Sequence, residues 1–215
     1  MVEIEWGGNV TEAILHGIIL AFGLIVPLGV QNVFVFNQGA LQPTFMRAMP
    51  VVITAGICDT LLIVSAVSGV SLLVLTFAWL ENIIFSIGIL FLLYIGFVLW
   101  KSDEMSTKVD GEQFSTKKQI IFAASVSLLN PHAILDTIGV IGSSSLNYAG
   151  NVRMAFTLTT IIVSWLWFFG LATAGRYIGK LDSTGKLIAL LNKISAIVVW
   201  GVAVYMAIRL AGNMM

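Results

Sequence analysis

The chain has 215 residues and no net formal charge; 58% of its residues are hydrophobic and only 10% charged, against about 25% charged in a typical soluble domain. One α-helical span takes about 20 residues, so this is a membrane protein's composition, with length for five to seven spans and none left for a separate soluble domain. The 11 basic residues form no contiguous basic face, which excludes a nucleic-acid surface, and the single Cys58 excludes an intramolecular disulfide or a dithiol relay.

In chain order, residues 1 to about 9 are polar, with Trp6 suited to a headgroup position. Glu3 and Glu5 stand there without Lys or Arg, the wrong charge for a signal peptide, so the first apolar segment reads as a retained span. Span 1 runs from about Val10 to Phe36 and contains GLIVPLGVQN, with His16 near its outer end. A turn holding Asn37, Gln38, Gly39 and Pro43 follows. Span 2 starts near Arg47 and Pro50, where Pro is tolerated in a first helical turn, and continues to about Thr76 with Asp59 midway. Trp79, Glu81 and Asn82 close a turn, and span 3 covers about Ile83 to Trp100.

Residues 101–119 form the longest polar stretch. Span 4 contains LLNPHAILDT, residues 128–137, inside an apolar run from Ile120 to Leu146. Asn147 to Arg153 make a turn, span 5 runs from about Met154 to Ala174, Arg176, Lys180 and Lys186 mark a loop, and span 6 covers about Leu187 to Leu210. The reading is a single transmembrane domain over 1–215, all-α with six helices: a first three-helix repeat (1–100), a cytoplasmic loop (101–119) and a second three-helix repeat (120–215). The loops after spans 1, 3 and 5 carry eight Lys or Arg against two on the other side, which makes them cytoplasmic and puts both termini outside.

An odd number of spans per repeat makes two halves antiparallel. Pro27 and Pro131 are 104 residues apart, the offset that also relates Asn32 to Asp136, so helices 1 and 4 are expected to be paired and both broken at Pro. Each Pro deletes a helical hydrogen bond, leaving the carbonyls of Gly23 and Ser127 without their usual donors. In hydrocarbon such groups must find protein, water or ligand. The broken ends also present a half-dipole that favours carboxylate and one that favours ammonium, and an α-amino acid carries both groups. The plain structural alternative is that each Pro only kinks its helix.

A charged side chain at the bilayer centre costs roughly 2.5–3.5 kcal/mol, so Asp59 and Asp136 need a reason to be there. Such an acid faces the bundle interior or a water-filled path, where it binds a cation, exchanges a proton or pairs with a base; Lys193 is the one base placed within a span. His132, beside Pro131, either relays protons or makes one hydrogen bond that stabilises the break. Gln31, Asn32 and Asn130 either bind a substrate or satisfy broken backbone, Asn130 at the second break. Gly170 with Ala174, and Ala123 with Ser127, have the spacing of helix contacts. Soft metals prefer thiolate and imidazole, poorly supplied by one Cys and two His, and no zinc-binding HExxH or GxSxG nucleophile is present; neither a cofactor nor an enzyme activity is expected.

PLGVQNVFVFNQGAL at 27–41, ICDTLLIVSAVSGV at 57–70 and LNPHAILDTIGVIGS at 129–143 together resemble the LysE/ArgO-type basic amino acid exporters of the wider amino acid exporter family. Val30 stands where that family commonly has Pro, and Asn37 where it commonly has Arg. The resemblance implies export of L-lysine, L-arginine or similar amino acids across a bacterial inner membrane, driven by the membrane potential or proton gradient, by a homodimer. It also implies that Asp59 and Asp136 meet the cationic side chain, with the breaks at Pro27 and Pro131 holding the α-amino and α-carboxyl groups. Neutral exporters of this kind usually lack the second Asp, so Asp136 points to basic substrates; neutral amino acids or a hard divalent cation are the competing cargoes.

Overall fold

The computed structural model describes residues 9–26, 29–69, 78–101, 115–128, 130–182 and 186–213. Pro27 and most of the 101–119 loop lie outside them, as do the side chains of Pro131 and His132. Every element among the described residues is helical: α1 (Val10–Ile25), α2 (Val30–Leu41), α3 (Phe45–Val67), α4 (Ala78–Lys101), α5 (Thr116–Leu128), α6 (Pro131–Asp136), α7 (Gly150–Leu181) and α8 (Lys186–Asn213). A π-helical turn (Thr137–Gly142) and a single α turn (Ser143–Ser145) extend α6. α3 and α7 are each long and apolar enough to cross a bilayer, and α1 with α2, bent by more than 40° at their junction, forms a third such unit. The apolar stretches of α4 and α8, Ser86–Lys101 and Asn192–Ile208, are shorter.

Local chemistry explains the ends. Asn9 caps α1, its side-chain oxygen accepting from Thr11 N at 3.1 Å, which satisfies one of the donors a helix start leaves free. α2 begins after Gly29 with no side-chain cap. α6 begins at Pro131, where a missing N–H removes nothing, and Ile134 N returns to the Asn130 carbonyl at 3.1 Å.

Several boundaries differ from the sequence reading, for one reason: a polar residue in a helix is invisible to hydropathy. Asn37, Gln38 and Gly39 continue α2 instead of forming a turn, and all three are buried. Trp79, Glu81 and Asn82 belong to α4. α7 extends through Arg153 at one end and Arg176 and Lys180 at the other; Arg176 donates to the Gln42 and Pro43 carbonyls at 2.5 and 2.7 Å, covering the end of α2. Pro50 sits within α3, past its first turn. His16, expected at an interface, is buried, with Nδ1 2.8 Å from the Tyr148 hydroxyl.

Packing divides the helices unevenly. α2 is buried on nearly every side and lies against α7 with backbones almost touching: a Cβ added at Gly39 would strike the Ala172 carbonyl, one at Gly175 the Phe36 carbonyl, and one at Gly179 would sit 2.6 Å from the Ala40 oxygen. α3 packs on α7, α5 and the π-helical turn. α4 and α8 pack chiefly on each other, through Gly96 under the Trp200 indole, and join the remainder through an apolar seam in which Leu92, Ile95 and Val199 meet Val30, Val33 and Val126. A polar tie across that seam is the buried Asn37–Asn192 hydrogen bond. Gly170 and Ala174 are exposed instead of packed within the chain, whereas Ala123 and Ser127 are buried as their spacing suggested.

Candidate functional site

At the α1–α2 junction the chain has backbone groups to satisfy, and Asn32 takes part of that task. Its amide Nδ2 donates to the Ile25 carbonyl at the end of α1 (2.5 Å), while its Oδ1 accepts from the Trp167 indole (3.3 Å). Gln31, one residue earlier, points elsewhere: its Nε2 donates to Asp59 Oδ1 at 3.3 Å, and Ser164 Oγ on α7 donates to Asp59 Oδ2 at 2.5 Å. Trp165 stacks over Gly56 and bonds Thr60 Oγ1 at 3.1 Å, which locks α3 to α7 beside the carboxylate.

These groups open onto one cavity of about 260 Å³. Gln31, Asn32, Asp59, Asn130 and Asp136 all line it. Gly29 and Val30 bring in the uncapped N-terminus of α2, and Ala21, Gly23 and Ile25 the end of α1. Asp136 stands at the last residue of α6, directly before the π-helical turn, a helix form that recurs at functional sites. The Asn130 side chain makes no cap bond to α6, and its Oδ1 is buried without a hydrogen-bond partner among the described residues.

Sequence reading missed Thr160 and Ser164, spaced i, i+4 on α7 and both lining the cavity. Their signal was available: two hydroxyls one turn apart on a helix share a face. The opposite wall is apolar, made by Leu92 of α4 and Val198, Val199 and Val202 of α8. Asp59 and Asp136 are the ionisable side chains among the described residues that line the cavity. At the far end of α1, burial and then the Glu12 charge push the Tyr148 hydroxyl up, so it keeps its proton at neutral pH.

The LysE type translocator family matches residues 22–210, which takes in every residue lining the cavity but Ala21. The chain belongs to that family. This LysE-family chain is 54% identical over 202 residues (94% of this chain, 92% of the relative) to the "Putative amino-acid transporter YisU" of Bacillus subtilis (strain 168). It is 33% identical over 197 residues (89% and 92%) to the arginine exporter protein ArgO of Escherichia coli (strain K12), and 33% identical over 205 residues (93% and 95%) to ArgO of Klebsiella pneumoniae (strain 342). No solved structure matches it. The family and the apolar helices make it a multi-pass membrane protein of an amino acid exporter family, in keeping with the resemblance of its motifs.

Proposed function

We propose that the chain exports basic L-amino acids, arginine or lysine, from the cytoplasm across the bacterial inner membrane, driven by the proton gradient or membrane potential. One observation carries the reading: two carboxylates, Asp59 and Asp136, line the same cavity beside the N-terminus of α2. A cationic side chain is the natural complement to them. The uncapped N-terminus of α2 offers N–H groups and a positive half-dipole to the substrate α-carboxylate, and the α4–α8 wall covers the aliphatic stem. The ArgO names of the relatives support a basic cargo.

The architecture proposed with it is six spans in two inverted halves: α1–α2, α3 and α4, then α5 through Ser145, α7 and α8. Breaks in the first span of each half support it, as does the packing of α3 on α7 and of α4 on α8. With the Lys and Arg bias, Arg47 and Arg176 lie on the cytoplasmic side and both termini outside. Because α4 and α8 pack mainly on each other, alternating access is drawn as movement of that apolar pair against the other four spans. His132 remains a proposed proton relay, and a homodimer the proposed assembly.

Efflux from proteoliposomes under an imposed pH gradient or potential tests this, across arginine, lysine, neutral amino acids and divalent cations. Arginine or lysine efflux that disappears in Asp59→Asn and Asp136→Asn is the expected result. Unchanged efflux in both variants, or export confined to neutral amino acids or metal ions, refutes it.

A further inference from the structure

Asp59 is held at both oxygens by neutral donors from two different helices, Gln31 of α2 at 3.3 Å and Ser164 of α7 at 2.5 Å. Those two helices are the pair whose backbones touch through Gly39, Gly175 and Gly179, so the donors are carried on one rigid body. α3 is tied to the same body beside the carboxylate, where the Trp165 indole covers Gly56 and bonds Thr60. Ser164 itself is buried, on a helix whose mid-span neighbours Ile161, Ile162 and Val163 are apolar. A buried hydroxyl needs a partner, and this one has Asp59.

We propose that Ser164 is a positioning residue for cation recognition: its hydroxyl sets the orientation of the Asp59 carboxylate toward the cavity. This rests on the reading that Asp59 meets the cationic end of the substrate. A carboxylate has about four lone-pair sites; the two donors take one on each oxygen, which leaves acceptor capacity on a group that lines the cavity. Without the Ser164 hydroxyl the carboxylate can rotate about its Cβ–Cγ bond. A substrate ammonium or guanidinium must then order it again on binding, a loss felt in affinity.

The test is arginine and lysine efflux from proteoliposomes, with binding to the purified protein measured beside it, for Ser164→Ala, Ser164→Thr and Asp59→Asn. Ser164→Ala should raise KM and Kd roughly ten-fold or more, as expected for losing a hydrogen bond to a charged group, and leave the maximal rate of the correctly inserted protein nearly unchanged. Ser164→Thr, which keeps the hydroxyl, should restore both constants to within about two-fold. Loss of efflux in Asp59→Asn with unaltered KM and Kd in Ser164→Ala overturns the positioning role and leaves the site reading standing. Unaltered efflux in Asp59→Asn overturns the reading beneath it. A lowered maximal rate or yield in Ser164→Ala at constant Kd, or a Thr variant no better than Ala, marks Ser164 as packing and also overturns the proposal.

Discussion

Replacing Gly175 by Ala tests whether the α2–α7 contact sets the shape of the site. A Cβ at Gly175 would strike the Phe36 carbonyl oxygen and lie 3.0 Å from its carbon and 3.2 Å from Ala40 N. Every one of those atoms is backbone, so no side-chain rotation relieves the clash, and the helices must move apart. Overpacking of this kind costs about 1–3 kcal/mol, and a radial gap of about 0.5–1 Å forfeits a quarter to a half of each contact's attraction. Ala also gains up to about 1 kcal/mol in helix propensity over Gly, which would mask part of the loss. Gly170→Ala, on the same helix with nothing within 4 Å of the added methyl, carries that gain without the clash. The difference between the two variants therefore isolates the packing cost. Thermal unfolding of the purified proteins in one detergent should place Gly175→Ala below Gly170→Ala by roughly 2–4 °C for each kcal/mol. Equal midpoints would refute the close α2–α7 packing and with it the rigid seat for Gln31 and Ser164.

Other substitutions probe other contacts. Phe156 is fully buried among Ala13, Ile63, Ile141 and Tyr148; Phe156→Ala should destabilise by about 3–5 kcal/mol, read as a lower unfolding midpoint. Asn192→Leu removes the acceptor of the buried Asn37 amide and should lower the midpoint by the equivalent of about 1–3 kcal/mol; an unchanged midpoint contradicts this. Tyr148→Phe takes the hydroxyl from the buried His16 ring and should lower the same midpoint by the equivalent of about 1–3 kcal/mol.

The α1–α2 interruption was legible because Pro27 stands inside an apolar run, and Pro restricts helix geometry wherever it occurs. The same logic located the break before Pro131, now the first residue of α6. Asp59 and Asp136 were legible as candidates because charge in hydrocarbon needs an explanation. The extension of α2 through Asn37 to Leu41 was not, since Asn, Gln and Gly in series look like a turn until burial gives them partners, Asn192 of α8 for Asn37 and Gln42 for Gln38. The roles of Gln31 and Asn32 stayed open for a related reason: adjacent residues on a helix point about 100° apart, and only the fold shows which one faces Asp59 and which faces the Ile25 carbonyl.

By itself, then, the sequence determined that this chain is a helical membrane protein of an exporter type, interrupted at two places and carrying two acids, Asp59 and Asp136, within apolar stretches. Those are consequences of side-chain transfer cost and backbone stereochemistry, which depend on each residue and its near neighbours. Tertiary structure alone decided that residues as far apart as Gln31, Asp59, Asp136 and Ser164 line one cavity, that Ser164 belongs with Asp59, and that α4 pairs with α8. Convergence across more than a hundred residues of chain is set by which helix faces pack together, and near-uniform apolar surfaces such as those of α4 and α8 do not encode their partner in any local pattern.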